Sequence, residues 1–345
     1  GQAALADVLF WRGQLEKAEE LAEEASGVLW HARTARVAGA LALRAAVRAA
    51  RYQDERPLLE YLDPLPHEMR LELVGAVLER AQRDPVAPAK LVLQELRERT
   101  EDEETLQPLL PQVVAAQANL ARRGADHAAA SSALGWLAGH FDERKDPLQA
   151  LAAWLNLGLA RDAANDAEGA GKAYREALAR AESTGKDALR AQANRSAAQH
   201  FARRGEHGEA DRLFAEALAC AERAGDAQQL CEALSARGVW LQHRGRPQEA
   251  RPLLERAVKA FPEAHPGRRF ALGHLAAIEK GGPCGCVDVG PELAASLEKK
   301  VRSSLPAGLL KSLRIDTSQG FGLQLELERE PTAEERGMLE RAVRQ

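Results

Sequence analysis

Two cysteines one residue apart, Cys284 and Cys286, form the one pair of side chains whose type and spacing suggest chemistry. A CxC pair can act as a thiol switch, or it can supply half of a zinc site, because structural zinc takes four Cys or His ligands. No Cys or His follows Cys286, so a complete site would need His265 and His274 from upstream. The alternative is that both are ordinary loop thiols, and we predict neither a bound metal nor a cofactor.

Contiguous catalytic motifs are absent from the sequence. The chain has no HExxH, no GxxxxGK[ST] phosphate-binding loop, no GxGxxG after a strand and no GxSxG elbow. We therefore expect a protein that is not an enzyme, with a site built from residues distant in sequence as the alternative. Cys220 and Cys231 are predicted to be small core residues, and His200 and His243 to be groove or surface residues rather than ligands.

Composition narrows the class of partner. The 345 residues carry a formal net charge of −4, which supplies no attraction to nucleic acid. No apolar run approaches the roughly 18–20 residues of a membrane span, so we expect no membrane insertion. Four cysteines in so long a chain form no disulfide framework, which favours a reducing cytoplasm. The prevalence of Ala, Leu, Arg and Glu is typical of helices, and it suggests a bacterial source with GC-rich DNA.

A loosely kept repeat must position any binding residues. Three stretches of 34 residues begin at Leu151, Ala191 and Cys231, and their starts lie 40 residues apart. Four positions are shared: Gly158, Ala198 and Gly238; Ala170, Ala210 and Ala250; Tyr174, Phe214 and Leu254; Ala177, Ala217 and Ala257. Self-similarity at a fixed period is typical of stacked helical repeats.

The residue types at these positions follow a packing logic. Small residues at the first and second positions let the two helices of a hairpin approach closely, and the bulky third position fills the space opposite. A leucine at Ala210 or Ala250 would overpack this crossing by about 1–3 kcal/mol. Gly205 and Gly245 lie where the first helix of a unit must end.

These positions resemble those of the tetratricopeptide repeat family. The stretch WLNLG at 154–158 is similar to the family's first-helix signature, and Ala170, Tyr174 and Ala177 lie where its second helix carries small, aromatic and small residues. Pro262 matches the family's closing proline. The 40-residue period is similar to that of relatives with long helices, such as the kinesin light chains. The resemblance implies a right-handed α-solenoid over residues 1–280, with its clearest repeats at 151–262.

About seven helical hairpins are expected along this solenoid, followed by a capping helix at 268–280. Beyond the three clear units, hairpins are predicted at 1–25, 29–62, 66–99 and 113–141. The first begins without a capping residue, and we interpret it as a helix cut from a longer chain. Gly124 and Ala129 are taken as the repeat residues of the hairpin at 113–141. Five tryptophans lie within apolar helical patterns and are predicted to be core residues: Trp11, Trp30, Trp136, Trp154 and Trp240.

The resemblance also implies a concave groove lined by the first helix of each unit. Its recurring positions hold Asn156, Asp162, Gln192, Arg195, Ser196, Gln199, Arg203, Glu232, Ser235, Gln242 and His243. Amide side chains can satisfy both N–H and C=O groups of an extended peptide. Arg195 and Arg203 can meet a carboxylate bidentately. We therefore predict a groove that binds a protein or peptide partner.

The chain changes character after the Gly/Pro-rich stretch GGPCGCVDVGP. Residues 281–345 are predicted to form a separate module of helix, β-hairpin and helix, because KSLRID and FGLQLELERE alternate apolar and polar residues. Thr332 and Glu335 form a capping box for the last helix. Since a lone hairpin is marginal in water, its edge is expected to pack on the solenoid or to pair with another chain.

Together these observations favour a protein-interaction scaffold that holds a partner segment in the groove. The alternative from another class is a regulatory sensor in which the module with Cys284 and Cys286 is a metal or thiol switch.

Overall fold

The computed structural model describes residues 2–31, 37–54, 56–280, 310–316 and 322–327. Contacts divide the chain into two units. Unit 1 comprises residues 1–186 and 196–210, and unit 2 comprises residues 187–195 and 211–345.

Ten helices lie wholly in unit 1. They are α1 (Gln2–Trp11), α2 (Leu15–His31), α3 (Val37–Tyr52), α4 (Leu59–Leu62), α5 (His67–Ala81), α6 (Val86–Asp102), α7 (Leu110–Arg123), α8 (His127–Glu143), α9 (Pro147–Ala163) and α10 (Ala167–Thr184). A short 3-10 turn, Gln107–Leu109, precedes α7. Successive long helices pack against each other from α1 to α3 and from α5 to α10. No described helix has both the length and the apolar character needed to cross a membrane.

Two further helices contribute residues to both units, and the remaining elements belong to unit 2. The shared helices are α11 (Asp187–Arg203) and α12 (His207–Ala224). Unit 2 also contains α13 (Ala227–His243), α14 (Pro247–Ala260), α15 (Pro266–Glu279), β1 (Leu310–Asp316) and β2 (Gly322–Leu327). Helices α13, α14 and α15 pack against one another. The predicted boundary between residues 280 and 281 stays a prediction.

The turns between helices recur every 20 residues, which is half of the 40-residue period of the sequence repeat. Each turn contains one residue with a left-handed backbone, at Ala125, Lys145, Asn165, Gly185, Gly205, Gly225 and Gly245, with φ between 54° and 76°. At most of these turns the following residue donates its N–H to a carbonyl five residues earlier, as in Asp126 to Ala121 at 2.8 Å. This pattern is the Schellman motif, which satisfies the last carbonyls of a helix.

The residue after each left-handed position begins the next helix. Asp126, Asp146, Asp166 and Asp226 each accept a hydrogen bond from a backbone N–H of the following turn, at 2.9–3.2 Å. Such N-cap carboxylates stabilise a helix by about 1 kcal/mol. A helix therefore ends and the next one begins within three residues, which keeps the spacing regular.

The predicted packing of small residues against bulky ones is confirmed by the geometry of two hairpins. A Cβ atom on Gly158 would lie 2.8 Å from Cζ of Tyr174, and one on Gly238 would lie 2.8 Å from Cγ of Leu254. The alanines at the second position, Ala170, Ala210 and Ala250, are fully buried. In the hairpin of α7 and α8 the equivalent alanine is Ala130, which is also fully buried. Ala129 is exposed, so the predicted register there was wrong by one residue.

The second predicted hairpin, at 29–62, is only half formed. Helix α3 is regular, but α4 has only four residues because prolines at 57 and 64 bracket it. Buried polar contacts hold this connection: Oε2 of Glu95 accepts from the N–H of Leu58 at 2.5 Å, and Nε of Arg70 donates to the carbonyl of Leu65 at 2.9 Å. Trp11 is half exposed on α1, which corrects its prediction as a core residue.

The two strands of unit 2 pair antiparallel, with Leu313 opposite Leu325 and Ile315 opposite Leu323. The register shifts between Leu310 and Ser312. The helices predicted on either side of this hairpin lie outside the described residues, so the predicted module stays a prediction.

Candidate functional site

The predicted groove residues are distributed over both units. Unit 1 contains Asn156, Asp162, Ser196, Gln199 and Arg203, and unit 2 contains Gln192, Arg195, Glu232, Ser235, Gln242 and His243. Gln199, Arg203 and His243 are exposed, Ser235 and Gln242 are buried, and the others are half-buried.

In unit 1 the structure brings Asp162 and Arg203 together. Oδ1 of Asp162 lies 2.7 Å from Nδ1 of His200, and Oδ2 accepts from the Tyr174 hydroxyl at 3.2 Å and from the Arg203 guanidinium. His200 is buried, so its prediction as a groove or surface residue was wrong. Burial raises the pKa of the Tyr174 phenol, which therefore remains a hydrogen-bond donor at neutral pH. Asp162 thus links three helices through its side chain.

In unit 2 the structure brings together two other members of the predicted set. A guanidinium nitrogen of Arg195 lies 2.5 Å from a carboxylate oxygen of Glu232. Gln242 uses its amide within the unit, because Oε1 lies 2.7 Å from Nδ1 of His274 and Nε2 donates to the carbonyl of His274 at 3.4 Å. The chain itself therefore supplies partners for Arg195 and Gln242.

A separate cavity of about 510 Å³ lies in unit 1 among α7, α8 and α9, and we call it the α7–α9 cavity. Its floor is apolar and mostly buried: Ala118, Leu134, Leu137, Phe141 and Ala153. Its polar lining consists of Gln112, Asn119, Arg122, His140, Arg144, Asp146, Gln149 and Asn156. Asn156 is the one member of the predicted groove set among these lining residues. An apolar pocket with a few polar groups at its edge is the usual form of a ligand site.

A second cavity of about 1050 Å³ adjoins the first between α5 and α7, and we call it the α5–α7 cavity. The two cavities share the α7 residues Gln112, Ala115, Asn119 and Arg122. Five amide side chains line the pair of cavities, namely Gln82, Gln112, Asn119, Gln149 and Asn156. Within the part of the chain that the structure describes, none of these five side chains forms a hydrogen bond. Their donors and acceptors are therefore available to a ligand.

The periodicity contained a signal for this site that the sequence analysis missed. Shifting the first repeat start, Leu151, back by one 40-residue period reaches Pro111. Moved back by one or two such periods, the groove positions of Asp162, Gln192, Arg195 and Gln199 fall on Arg122, Gln112, Ala115 and Asn119, which line both cavities. The spacing of three and four residues places them along one face of α7. They were missed because groove positions were assigned only in the three clear units, and the hairpin at 113–141 was placed one residue out of register.

Charge at the α7–α9 cavity is unbalanced. Arg122 and Arg144 are exposed, and among the described residues neither ion-pairs or hydrogen-bonds through its side chain. Asp146, the carboxylate in the lining, caps α9 through the N–H groups of residues 148 and 149. His140 stacks on Trp136, with ring centroids 4.8 Å apart, and burial lowers the pKa of its imidazole. The lining therefore carries two cations, one carboxylate that caps α9, and a neutral histidine.

The candidate metal site cannot be assembled from the described residues. Cys284 and Cys286 lie outside them. The two histidines considered as further ligands have other roles: Nδ1 of His265 accepts from the N–H of Gly267 at 3.0 Å, and His274 bonds to Gln242. Within the described ranges, no group of three or more His, Cys, Asp or Glu side chains is placed to hold a metal ion.

The fold and these cavities define a protein built from repeated helical hairpins. Residues 189–263 match the family model of the tetratricopeptide repeat, which confirms the family resemblance over that stretch. No curated protein matches the chain.

Two solved structures are similar to this chain over part of its length. A Rap protein complexed with Competence and Sporulation Factor is 14% identical, with a TM-score of 0.50, and the match covers 86% of this chain and 85% of that one. BtubC (BKLC) from P. vanneervenii is 18% identical, with a TM-score of 0.49, and the match covers 65% of this chain and 95% of that one.

Proposed function

We propose that this chain is a non-catalytic scaffold that binds an extended segment of a partner protein along α5, α7 and α9. The observation that carries this proposal is the set of five unengaged amides that line the two adjoining cavities, four of them beside the apolar floor of the α7–α9 cavity. An extended peptide presents alternating N–H and C=O groups, and an amide side chain can pair with both. The apolar floor would accept one of the peptide's side chains.

General properties of the fold support the same proposal. Tetratricopeptide repeats serve in general as scaffolds for protein interactions. The Rap protein of similar fold was solved with Competence and Sporulation Factor. The pairing of Asp162 with Arg203, and of Arg195 with Glu232, supports a structural role for these four groove residues in addition to any contact with a partner.

A second contact in unit 2 is also proposed, through the predicted residues Gln192, Arg195 and Glu232. The ion pair between Arg195 and Glu232 would open when a partner's carboxylate replaces that of Glu232. Pairing of another chain with the edge of the β1–β2 hairpin, and a cytoplasmic location, remain part of the proposal.

The proposal is tested by selecting peptides from a random displayed library on the full chain and measuring their affinities. A triple variant, Gln112→Ala, Asn119→Ala and Asn156→Ala, should bind them about tenfold to a thousandfold more weakly, because each lost hydrogen bond costs about 0.5–1.5 kcal/mol. Gln14→Ala, an exposed amide at the turn between α1 and α2, is the matched control. Equal binding by the triple variant and the control would remove these cavities from the site. A library that gave no binder would count against a peptide scaffold.

A further inference from the structure

Arg122 and Arg144 differ from the arginines around them. Arg123 donates to the carbonyls of residues 81 and 84 at 2.7 Å, and Arg180 pairs with Asp142 at 2.8 Å. Arg161 donates to the carbonyl of residue 169 at 3.0 Å. Arg122 and Arg144 have no such partner among the described residues, although both line the α7–α9 cavity.

Three of the four acidic side chains of α8 and its flanking turns are engaged in other contacts, and the fourth, Glu143, is exposed and does not line the cavity. Asp142 accepts from Nε1 of Trp154 at 3.0 Å and from Arg180. Asp126 and Asp146 cap α8 and α9. Two guanidinium groups without an ion-pair partner among the described residues thus face one lining carboxylate, that of Asp146, so the lining carries a net positive charge on a chain whose net charge is −4.

The floor of the same cavity favours an apolar group. Leu134, Leu137 and Ala153 are buried there. A volume of about 510 Å³ is within the range of sites that enclose small ligands or a few side chains. The surface therefore combines an apolar floor with cations at its edge.

We infer that the α7–α9 cavity recognises an acidic segment of a partner protein, in which a large apolar side chain is flanked by Asp or Glu. The inference rests on the proposed function and specifies the chemistry of the partner. The apolar side chain occupies the floor, while Arg122 and Arg144 bind the flanking carboxylates. Arginine suits this role because its planar guanidinium binds a carboxylate through two parallel hydrogen bonds.

The experiment uses two matched pools of synthetic ten-residue peptides and the full chain. Every peptide carries one Leu or Phe at its centre, flanked by glutamates in one pool and by glutamines in the other. We expect the glutamate pool to contain the tighter binders, with affinities that fall as salt rises. Arg122→Gln and Arg144→Gln should each weaken glutamate peptides about tenfold, since a hydrogen bond to a charged group contributes about 1.5–3 kcal/mol. Glutamine peptides should be unaffected.

The matched control is Lys172→Gln, which removes one positive charge from an exposed position that does not line the cavity. An equal loss in this control would mean that net charge alone governs binding, and the inference would fall. Binding of the glutamine pool alone would overturn the acidic specificity and leave the proposed function intact. Binding of neither pool would count against both proposals. Competition by a single-stranded DNA oligonucleotide would identify a general anion site and also overturn the inference.

Discussion

Two neighbouring regions of unit 1 are held together in different ways. Between residues 110 and 184, helices of similar length alternate with three-residue turns, and the packing depends on residue size, as where Gly158 lies beneath Tyr174. Between residues 37 and 106 the connections are irregular: Glu95 accepts from the backbone N–H of Leu58, and Arg80 pairs with Asp84 over a core that is still apolar. The difference shows that specific polar contacts can hold the connections where the regular turns are lost.

The largest loss of stability should come from removing a buried ion pair in the irregular region, residues 37–106. Arg80 is buried and donates Nε and NH2 to the two carboxylate oxygens of buried Asp84, each at 2.9 Å. Arg80→Ala leaves that carboxylate buried without its partner, so we expect a loss of about 3–5 kcal/mol in the free energy of unfolding. Urea denaturation measures this loss. Lys172→Ala, which breaks an exposed pair with Glu168 at the same spacing, should leave the free energy of unfolding nearly unchanged. Similar costs would mean that burial of the pair is unimportant.

The irregular region should also make the stability of the chain depend on pH, because it contains the buried carboxyl group of Glu95. Burial raises the pKa of Glu95 from 4.5 to about 7 in the folded chain. The protonated form is therefore favoured by folding, and its contribution is complete below pH 4.5 and is lost as pH rises toward 7. One pKa unit corresponds to about 1.4 kcal/mol, so the loss is on the order of 3 kcal/mol. Glu95→Gln should not show this loss when unfolding is measured between pH 4.5 and 7.5. A parallel decline in the variant would contradict the assignment.

A buried histidine in unit 2 should respond to pH in the opposite direction. Burial lowers the pKa of His274 from 6.5 to about 4, while its Nδ1 lies 2.7 Å from Oε1 of Gln242. Folding therefore favours the neutral ring, and this contribution is present above pH 6.5 and is lost as pH falls toward 4. We expect the stability of the wild type relative to His274→Gln to decrease over that window, by up to about 3 kcal/mol. A constant difference in melting temperature across the window would contradict it.

In the regular region the critical test is the glycine beneath Tyr174. Gly158→Ala places a methyl group 2.8 Å from a ring that is 1% exposed, so the helices must separate. We expect a loss of about 1–3 kcal/mol. Gly139→Ala is the matched control, because a Cβ there meets nothing within 4 Å. The control should gain up to about 1 kcal/mol through helix propensity. The same sign of change in both variants would refute the packing explanation.

The smallest expected effect concerns the turns of the regular region. Ala125 and Lys145 have a left-handed backbone at φ 54°, a conformation that costs a residue other than glycine about 1 kcal/mol. Ala125→Gly and Lys145→Gly should therefore each raise the free energy of unfolding by up to about 1 kcal/mol. The reverse change, Gly205→Ala, should lower it by a similar amount, since Gly205 has φ 76°. Thermal melts of the three variants measure these changes. If the changes to glycine and the change from glycine shifted the melting temperature in the same way, the backbone explanation would be wrong.

The regular region was predictable because its signals are local and periodic. The small and bulky residues recur at one interval, and they indicated the hairpin of α9 with α10 before any coordinates, as they also did for α13 with α14 in unit 2. The same reasoning was one residue out of register at Ala129, and it failed at residues 29–62, where prolines interrupt the second helix and polar contacts hold the connection. Glu95 is an example, because its partner Leu58 lies 37 residues away and no periodic rule relates the two.

The candidate site was predictable only in its residue types. Polar amides on the first helices were expected, and Asn156 does line the α7–α9 cavity. The sequence placed the binding arginines at 195 and 203, which pair with carboxylates of the chain, whereas Arg122 and Arg144 line the α7–α9 cavity without an ion-pair partner among the described residues. Whether an arginine is free depends on which carboxylates lie near it after folding.

The sequence by itself determined that this chain forms helical hairpins, because residue size and turn chemistry act over short distances at a fixed interval. Only the tertiary structure decided which charges are satisfied. Asp162 bonds to His200 and Arg203, which lie 38 and 41 residues away in the chain. Arg122 and Arg144, at the α7–α9 cavity, form no ion pair with a carboxylate among the described residues. Electrostatic pairing depends on distance in space, and that distance exists only once the helices have packed.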